Sequence, residues 1–536
     1  MLRSIPDGVK WIVLWLVLIA VVLATRPLAP IDETRYLSAA WEMWIRGDWL
    51  VPHLNGETYS HKPPLLFWLI NLGWLVFGPD SIWGRLVGPL AGLAGVFLTA
   101  WIARLLWPGR DVDRVAPWLL MATLLWAVTT TLSMFDTLVM VCALVALGGV
   151  VRAAQGKWTG WILFGIGIGF GVLAKGPVIL VFTLPAALLA PLWLRPFPVL
   201  GWGRWYVGVV GGLLFGAAIA LAWAVPAAYS GGAEYGRAIF LGQTTERVAG
   251  NMSHGRPVWF YLPMLVAILF PLLLWDRLWP ALRAAPWRAD RGLRFLLVWI
   301  GGAVVILSAF TDKQPHYILP AVPAFALLAG FVLSSLPVKG RLRAPGLAWI
   351  TLGIVLIGAA IWGGMNPVRL TRASLPDSLP LGVGITGSIV LVLGVVLLMR
   401  ARDDLRAMAS ILAGVTVAAL VAGHLFIVPA LHDFYDLQPA ADEVARAQGA
   451  GRPVAYVGKY HAQFQYLGRL RQPIDALERN EVREWFTAHP AGILIFAERR
   501  AAPDPGTPIF RQPFRSRELQ IWERDEALKS PERFLR

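Results

Sequence analysis

Residues 26–64 read RPLAPIDETRYLSAAWEMWIRGDWLVPHLNGETYSHKPP. This stretch carries far more charged side chains than the sequence on either side of it, because an apolar segment precedes it and a long series of apolar segments follows. Polar residues are costly inside a membrane and collect at its surfaces or around cavities. The stretch therefore predicts a loop at a membrane surface, and we expect this loop to carry the chemistry of the protein.

The composition indicates a helical membrane protein that crosses the bilayer many times. Of 536 residues, 57% are hydrophobic and 15% are charged, and the mean hydropathy is +0.59. An ordinary soluble protein has about a quarter charged residues, whereas apolar runs of about twenty residues, each long enough to span a bilayer, recur here. The net charge of +15 does not indicate nucleic-acid binding, because most of the excess lies in short loops. Cys142 is the only cysteine, which excludes a disulfide framework and a cysteine-based metal site.

The distribution of Lys and Arg predicts an orientation. Every second loop is basic, as after the second span with Arg104, Arg110 and Arg114, and such loops are usually cytoplasmic. This alternation requires that 65–78 does not cross; about fourteen residues are too few, so an interfacial or re-entrant helix is expected. The predicted spans number about thirteen, the first retained rather than cleaved: 10–26, 84–107, 115–131, 134–151, 158–174, 177–194, 204–226, 258–275, 294–310, 317–336, 345–363, 381–400 and 406–428.

The predicted fold class is an all-α polytopic membrane protein with a small C-terminal α/β domain. We assign residues 1–429 to the membrane domain, with 27–83 as its first outer loop, and residues 430–536 to the outer domain. In the latter, PVAYV at 453–457 and GILIFA at 492–497 predict strands, and a helical pattern lies near 478–487.

The predicted topology brings the ionisable residues of several outer loops to one side of the membrane. Carboxylates and cations that converge there suit an anionic lipid headgroup together with proton or sugar chemistry. The candidates are Asp32, Glu33, Arg35, Tyr59, His61, Lys62, Asp136, Lys175, Arg247, His254, Arg256, Lys313, His316 and Tyr317.

Asp32 precedes a predicted amphipathic helix at 33–46, which we expect to lie in the membrane interface and to end at Gly47. A helix N-cap is therefore an alternative role for this carboxylate. No capping box accompanies it, because the residue three positions later is Arg35, and a cation in the first turn opposes the helix dipole. The pattern therefore favours a functional role for Asp32.

The other candidates keep structural alternatives. Lys62 precedes Pro63-Pro64 and a helix start, where a phosphate is favoured, but it also suits a lysine that extends along the membrane surface. Asp136 could cap the fourth span, and Lys175 could mark the end of a hairpin. His254 and Arg256 lie in a polar loop, and Tyr317 suits the aromatic belt of a membrane protein.

Five blocks of the sequence resemble the bacterial aminoarabinose lipid A transferases, a family in the protein mannosyltransferase-like group of GT-C glycosyltransferases. The blocks are DETRYLSAAWEMWIRGDWLVPHLNGETYSHKPPLLFWL, SMFDTLVM, LAKGPV, HGRPVWFYLP and DKQPHYILPAVPAFALLAG. The resemblance implies about thirteen spans, juxtamembrane helices in the first outer loop and a small periplasmic C-terminal domain. His61 stands where these enzymes usually have Glu before Lys-Pro-Pro.

The resemblance also implies an activity and roles for residues. The family transfers a sugar from polyprenyl (undecaprenyl) phosphate with inversion at the anomeric carbon. Asp32 resembles its catalytic aspartate, with Glu33 and Arg35 beside it. Lys62 and Tyr317 resemble its ligands for the carrier phosphate. Further residues expected at that phosphate are Arg247, His254, Arg256 and Lys313, and other residues expected in the cavity are Tyr59, His61, Asp136, Lys175 and His316.

The expected partners follow from this assignment. They are a polyprenyl-phosphate-linked sugar, a lipid A or other envelope-glycan acceptor and membrane lipid, for a monomer in the bacterial inner membrane whose active site faces the periplasm. No cofactor is required by the pattern, although Asp32, Glu33 and His61 could bind a divalent metal.

The alternatives are a galacturonosyl or other glycan or protein O-glycosyl transferase of this fold, and a lipid flippase or transporter. Transporters favour internal repeats and a site at the bilayer midplane, whereas this sequence has no internal repeat that we detect and its charges lie at one surface.

Overall fold

The computed structural model describes residues 6–195, 198–199, 201–242, 255–335, 340–367, 375–399, 401–402, 404–498 and 506–529. Within these ranges, ten helices are long and apolar enough to cross a membrane, judged by length and composition. Large apolar side chains on them face outward, such as Val207 at 65% exposure and Leu381 at 70%. The chain is therefore a multi-pass helical membrane protein, as the hydropathy predicts.

The N-terminal part contains seven helices and a short hairpin. Its elements are α1 (Asp7–Thr25), α2 (Asp32–Arg46), β1 (His53–Leu54), β2 (Glu57–Thr58), α3 (Leu65–Phe77), α4 (Ser81–Leu106), α5 (Val112–Ala122), α6 (Leu124–Thr129) and α7 (Phe135–Ala154).

Helix α2 matches the predicted amphipathic helix, and protein covers it on two sides. Gly47 ends it in the left-handed conformation, at φ 68°. Ala39, Ala40 and Met43 are fully buried, because membrane helices cover one side of α2 and the C-terminal domain covers another. Protein thus covers most of α2, and its expected position in the membrane interface stays a prediction.

Helix α3 confirms that 65–78 is a short helix. Its 13 residues span about 20 Å at 1.5 Å per residue, which is less than the roughly 30 Å of a bilayer core. One face, with Leu66, Phe67 and Ile70, is completely buried, while Leu75 and Val76 are 63% and 75% exposed. An exposed apolar face on so short a helix suits a position along the membrane surface.

In its described residues, the remaining membrane part continues with eleven α-helices and one short pair of strands. Its elements are α8 (Gly160–Lys175), α9 (Ile179–Leu188), α10 (Ala190–Trp193), α11 (Trp202–Arg237), α12 (Tyr261–Ile268), α13 (Leu278–Ala284), α14 (Arg291–Ala309), α15 (Val322–Ser334), β3 (Gly340–Arg341), α16 (Arg343–Met365), α17 (Leu379–Met399), β4 (Ala401–Arg402) and α18 (Leu405–Phe426).

Three of the predicted spans are interrupted. The span predicted at 115–131 is divided into α5 and α6 at Thr123, whose backbone is extended, and the amide of Leu124 donates instead to the carbonyl of Phe270, at 2.9 Å. The spans predicted at 177–194 and 258–275 are likewise assembled from short helices and 3₁₀ turns. The predicted number of about thirteen spans therefore stays a prediction.

Small residues bring neighbouring helices into close contact. On α16 and α17, Gly353 and Gly394 face the partner backbone so closely that an added Cβ would lie 2.6 Å from the amide nitrogen of Leu391 or Ile350, respectively. Packing in a bilayer depends on such close approach, since lipid offers no hydrophobic drive for helix association.

The C-terminal domain is built on a five-stranded sheet. Its strand order is β6-β5-β7-β9-β8, with β6, β5 and β7 parallel and the last two strands antiparallel. The strands and helix predicted at 453–457, 492–497 and 478–487 are present, whereas β6, β8 and β9 lack a predicted counterpart. The elements are α19 (Val428–Tyr435), α20 (Gln438–Gly449), β5 (Val454–Val457), β6 (Asp475–Leu477), α21 (Val482–Ala488), β7 (Ile493–Glu498), β8 (Phe510–Phe514), β9 (Arg517–Glu523) and α22 (Arg524–Leu528).

The segment 458–474, which we call the docking loop, joins this domain to the first outer loop. Asn55 exchanges two hydrogen bonds with the backbone of Ile474, at 2.9 and 2.8 Å, and accepts one from Gln465, at 2.7 Å. The ring of Tyr466 stacks on Trp74 with centroids 5.4 Å apart and planes 5° from parallel. Polar and aromatic contacts together therefore hold the domain against α2 and α3.

A buried ion pair fixes the start of α2. The carboxylate of Glu33 is 1% exposed and pairs through both oxygens with the guanidinium of Arg26. It also accepts from the amides of Ala29, at 2.8 Å, and Ser133, at 3.0 Å, while Arg26 donates to the carbonyl of Thr131, at 3.1 Å. One carboxylate thus joins the end of α1, the start of α2 and the turn before α7.

The same contacts determine the protonation of Glu33. Burial raises its pKa, but the charge of Arg26 and the hydrogen bonds from Arg26, Ala29 and Ser133 lower it further, so the pKa lies below its ordinary value of 4.5. Glu33 is therefore ionised at neutral pH and stabilises the folded state above pH 4.5. This contribution is lost as the pH falls through the lowered pKa.

Replacing Glu33 by Gln should destabilise the protein by about 3 kcal/mol, because the charge of Arg26 then stays buried without its partner. Thermal unfolding of the purified protein in detergent measures the effect. Glu57→Gln, at an exposed carboxylate in the same outer loop, is the matched control. The difference in thermal stability between the wild type and the Glu33 variant should become smaller below pH 4.5. A difference that persists in acid would contradict this account of the ion pair.

Replacing Tyr466 by Ala should lower the free energy of local opening of the docking loop by about 2 kcal/mol, because a stacked aromatic pair and its buried area are lost. Hydrogen exchange over 458–474 should accelerate, while exchange in the sheet should not. Tyr435→Ala, at a tyrosine that is 40% exposed, serves as the control. Equal protection of the docking loop in all three proteins would show that the Trp74 contact does not hold the domain.

Candidate functional site

Asp32 is the first residue of α2 and presents an accessible carboxylate. The N-cap of the helix is Ile31, with no side-chain capping bond, so Asp32 does not take the capping role considered from the sequence. Its Oδ1 lies 2.6 Å from Arg35 Nη2 and accepts from the hydroxyl of Tyr36, at 3.3 Å. The side chain nevertheless remains 56% exposed. The carboxylate is oriented by two neighbours and open to a substrate.

Glu33 and Arg35 take different positions beside Asp32. Glu33 points into the buried pocket with Arg26, away from solvent. Arg35 stays with Asp32, and its Nε is buried without a hydrogen-bond partner within the described residues. Of the three residues predicted at the catalytic position, Asp32 and Arg35 thus form an ion pair, which we call the Asp32 unit. Glu33 instead supports the turn that holds this pair.

A second charged cluster lies where α7 begins and α8 ends. Lys175 Nζ lies 2.7 and 2.8 Å from the two carboxylate oxygens of Asp136, and His316 Nε2 lies 4.0 Å from the same carboxylate. Lys175 also sits 4.5 Å from the ring centroid of Tyr317. Asp136 does not cap α7, whose N-cap is Met134. The structure therefore brings together Asp136, Lys175, His316 and Tyr317, as the predicted topology requires.

Phe135 joins this cluster to the first outer loop. Its ring is 2% exposed and meets the ring of Tyr36 edge-on, with centroids 4.8 Å apart. Lys62 Nζ lies 5.9 Å from the centroid of Phe135, and Tyr59 packs against His61 at 5.6 Å. Lys62 and Tyr59 therefore lie on the segment that runs between the Asp32 unit and the Asp136 cluster.

The predicted phosphate ligands from later loops are placed unequally. Tyr317 donates its hydroxyl to Asp312, at 3.2 Å. Lys313 is 2% exposed, and its ammonium donates to the backbone carbonyls of Arg256 and Phe310. The guanidinium of Arg256 lies 5.4 Å from the ring centroid of Phe260. Arg247 and His254 lie outside the described residues.

The C-terminal domain adds residues that the sequence reasoning missed. His461 lies within electrostatic range of Arg35, Lys459, Asp32 and Arg515. Burial lowers its pKa, and the charges of Arg35 and Lys459 act in the same direction, so its imidazole is neutral at pH 7. A signal was available: Lys459 and His461 follow the predicted strand at 453–457, and ligands of open α/β sheets bind at the carboxyl ends of strands.

The hypothetical metal ligands Asp32, Glu33 and His61 do not converge. Glu33 is committed to Arg26, and within the described ranges no three His, Cys, Asp or Glu side chains are grouped closely enough to hold a metal ion. The donor set of Asp32, Glu33 and His61 therefore does not fit a metal centre.

Comparison with known proteins agrees with this architecture. The family profile described as dolichyl-phosphate-mannose-protein mannosyltransferase matches residues 61–229. By structure, the chain resembles ArnT from Cupriavidus metallidurans bound to undecaprenyl phosphate, with a TM-score of 0.73 and 20% identity over 96% of this chain and 97% of that one. This likeness establishes the fold, which is of the GT-C type.

Two curated relatives carry the same name, undecaprenyl phosphate-alpha-4-amino-4-deoxy-L-arabinose arabinosyl transferase. The protein of Pseudomonas aeruginosa (strain UCBPP-PA14) is 32% identical over 61% of this chain, a match that spans 60% of its own length. The protein of Edwardsiella ictaluri (strain 93-146) is 31% identical over 68% of this chain and 67% of its own length. By this similarity, the chain belongs to the family of undecaprenyl phosphate-alpha-4-amino-4-deoxy-L-arabinose arabinosyl transferases.

Proposed function

We propose that this protein transfers a sugar of the aminoarabinose type from undecaprenyl phosphate to lipid A or a related envelope acceptor. The observation that carries the proposal is the Asp32 unit, an oriented, exposed carboxylate, together with the Asp136–Lys175 ion pair and the cation of Lys62 beside the Phe135 ring. Family membership and the likeness to a structure bound to undecaprenyl phosphate support it. The donor brings its own activated sugar, so no nucleotide site or cofactor is needed.

In this proposal the leaving phosphate is stabilised by cations. Lys62 and Tyr317 contact the phosphate of the carrier, with Arg256, Arg247 and His254 as further candidates. Lys175, held between Asp136 and the Tyr317 ring, adds positive potential. Preorganised cations stabilise the charge that develops on a leaving phosphate. Lys313 acts indirectly, because its ammonium fixes the backbone that carries Arg256 and Phe310.

Asp32 lies on the other side of the sugar in this mechanism. With a hydroxyl acceptor, its carboxylate takes the proton as general base. With a phosphate acceptor little base catalysis is needed, and Asp32 orients the acceptor or stabilises positive charge on the sugar ring. Attack from the face opposite the leaving phosphate inverts the anomeric carbon in either case.

The proposed orientation places these groups at the periplasmic face of a bacterial inner membrane. The basic loops that alternate with the site-bearing loops support this orientation through the excess of Lys and Arg on the cytoplasmic side. The carrier lipid and a glycolipid acceptor can then both reach the site along the membrane surface.

Replacing Asp32 by Asn should reduce transfer by at least about a hundredfold, because the oriented carboxylate is lost, while carrier binding persists. Mass spectrometry of the lipid A and polyprenyl-phosphate fractions from cells with the wild type, the variant or no protein measures transfer. Glu57→Gln, an exposed carboxylate in the same loop, controls for loss of charge. The added mass identifies the sugar. Wild-type transfer by the Asp32 variant would remove this residue from the mechanism.

Unchanged lipid A in every strain would assign the acceptor elsewhere if lipid-linked sugar accumulates with the Asp32 variant. No change in either fraction would contradict glycosyl transfer and favour a lipid transporter.

Replacing Lys62 by Ala should weaken binding of undecaprenyl phosphate about tenfold, because one charge-assisted contact to phosphate is lost. Titration of the carrier lipid into the purified protein measures this change. Lys157→Ala, at an exposed lysine beyond the opposite end of α7, is the control. Equal affinities for the two variants would exclude Lys62 as a phosphate ligand.

A further inference from the structure

One short segment of the C-terminal domain, 458–463, carries His461, which lies within electrostatic range of Asp32 and Arg35. The turn of this segment lies between two residues with a left-handed backbone, Gly458 at φ 91° and Ala462 at φ 54°. A left-handed backbone is unfavourable for alanine and persists where the surroundings enforce it, often at functional sites. Ala462 is 1% exposed, so packing holds the turn in this form.

Anchoring of this segment separates its side chains into two sets. Tyr460 is turned inward, where its hydroxyl bonds Gln465 and its ring packs on Phe464 at 5.9 Å. The flanking Lys459 is exposed and His461 is partly exposed. The described part of the chain offers no ion pair to Lys459. A rigid turn therefore holds the exposed cation of Lys459 near the imidazole of His461.

A second element of the same domain approaches this place. Arg515 lies at the tip of the hairpin between β8 and β9, and its guanidinium donates to the carbonyl of Pro30, two residues before Asp32. Its backbone amide donates to the carbonyl of Phe434, at 3.0 Å. Arg515 is thus fixed beside the start of α2 while its side chain remains exposed.

The position of 458–463 in the sheet is one at which ligands bind. The segment leaves the carboxyl end of β5, whose two parallel neighbours are β6 and β7. After β5 the chain first forms β6 on one side of β5 and later forms β7 on the other side. The carboxyl end of β5 is therefore a topological switch point. Open α/β sheets bind their ligands in the crevice at such points.

The charges around Asp32 are unbalanced. Arg35 neutralises Asp32, and the charges of Lys459 and Arg515, which both act on the neutral imidazole of His461, then remain in excess. The buried Nε of Arg35 adds a donor that has no hydrogen-bond partner within the described residues. The Asp136–Lys175 pair is balanced in charge, so this surplus adds to the cation of Lys62 beside the Phe135 ring, and the site has positive charge for two anions rather than one.

We infer that 458–463 and Arg515 form the acceptor side of the active centre, where Lys459, His461 and Arg515 hold an anionic group of the acceptor beside Asp32. The inference rests on the proposed transfer reaction and assigns to the C-terminal domain a direct part in acceptor selection. The attacking oxygen then enters between this domain and Asp32, while the carrier phosphate departs toward Lys62.

The test measures KM for each substrate separately, with the full-length protein in nanodiscs. Acceptors are lipid A with both phosphates and the same lipid after removal of its phosphates. Lys459→Ala and His461→Gln should each raise KM for the phosphorylated acceptor about tenfold and leave KM for the lipid-linked sugar unchanged. Lys459→Glu should raise it further. Arg483→Ala, an exposed arginine in α21 on the other face of the sheet, should change neither.

The outcomes distinguish this inference from the proposed function. Wild-type transfer with unchanged acceptor KM in the Lys459 and His461 variants would overturn the inference and keep the function. A wild type that transfers sugar to neither acceptor, together with lipid A and lipid-linked sugar fractions that do not depend on the protein in cells, would overturn the proposed function. Direct titration of both lipids into wild type and Lys459→Glu gives a readout without turnover. Equal binding of phosphorylated and dephosphorylated lipid by both proteins would also overturn the inference.

Discussion

The carboxylate of Glu33 is the constraint on which the candidate site depends. It is buried, ionised and bonded to the end of α1, to the turn before α2 and to the turn before α7. Adjacent residues of a helix point about 100° apart, so the position that buries Glu33 also exposes Asp32. Two neighbouring carboxylates thereby acquire opposite tasks: one holds the backbone, and the other remains available to a substrate.

Phe135 divides the site into two regions without separating them fully. On one side lie Asp32 and Arg35, and on the other lie Asp136 and Lys175. The ring is buried and apolar and lies between the charges of the two regions. The charges of one region therefore screen those of the other region less. Each region pairs one carboxylate with one cation, and Lys62 Nζ, 5.9 Å from the ring centroid, adds a further positive charge beside the ring.

The sequence predicts those features that depend on local pattern. Hydropathy locates the unbroken spans, and the alternation of basic loops places the candidate residues on one side. The pairing of Asp136 with Lys175 follows in principle, because one residue starts and the other ends consecutive antiparallel helices. The break at Thr123 is different, since its freed amide neighbour bonds to Phe270 far along the chain, and no local pattern contains that information.

The same reasoning explains which site residues were found. Asp32 could be predicted because Arg35 conflicts with a simple capping role. The pairing of Glu33 with Arg26 could not, because it depends on the shape of the turn between α1 and α2. Lys459 and His461 follow a predicted strand, but the proximity of His461 to Asp32 depends on docking between segments hundreds of residues apart, which no local pattern contains. The roles of all these residues stay predictions.

The contact between Asn55 and Ile474 has a consequence for biosynthesis. These residues are 419 positions apart, so the ribosome makes the first outer loop long before it makes the segment that covers this loop. Contacts of high sequence separation also form late in folding. During translation the Asp32 region remains open to solvent, and it is closed only when the sheet domain has emerged. The order of synthesis therefore delays completion of the outer surface until the membrane helices are already in place.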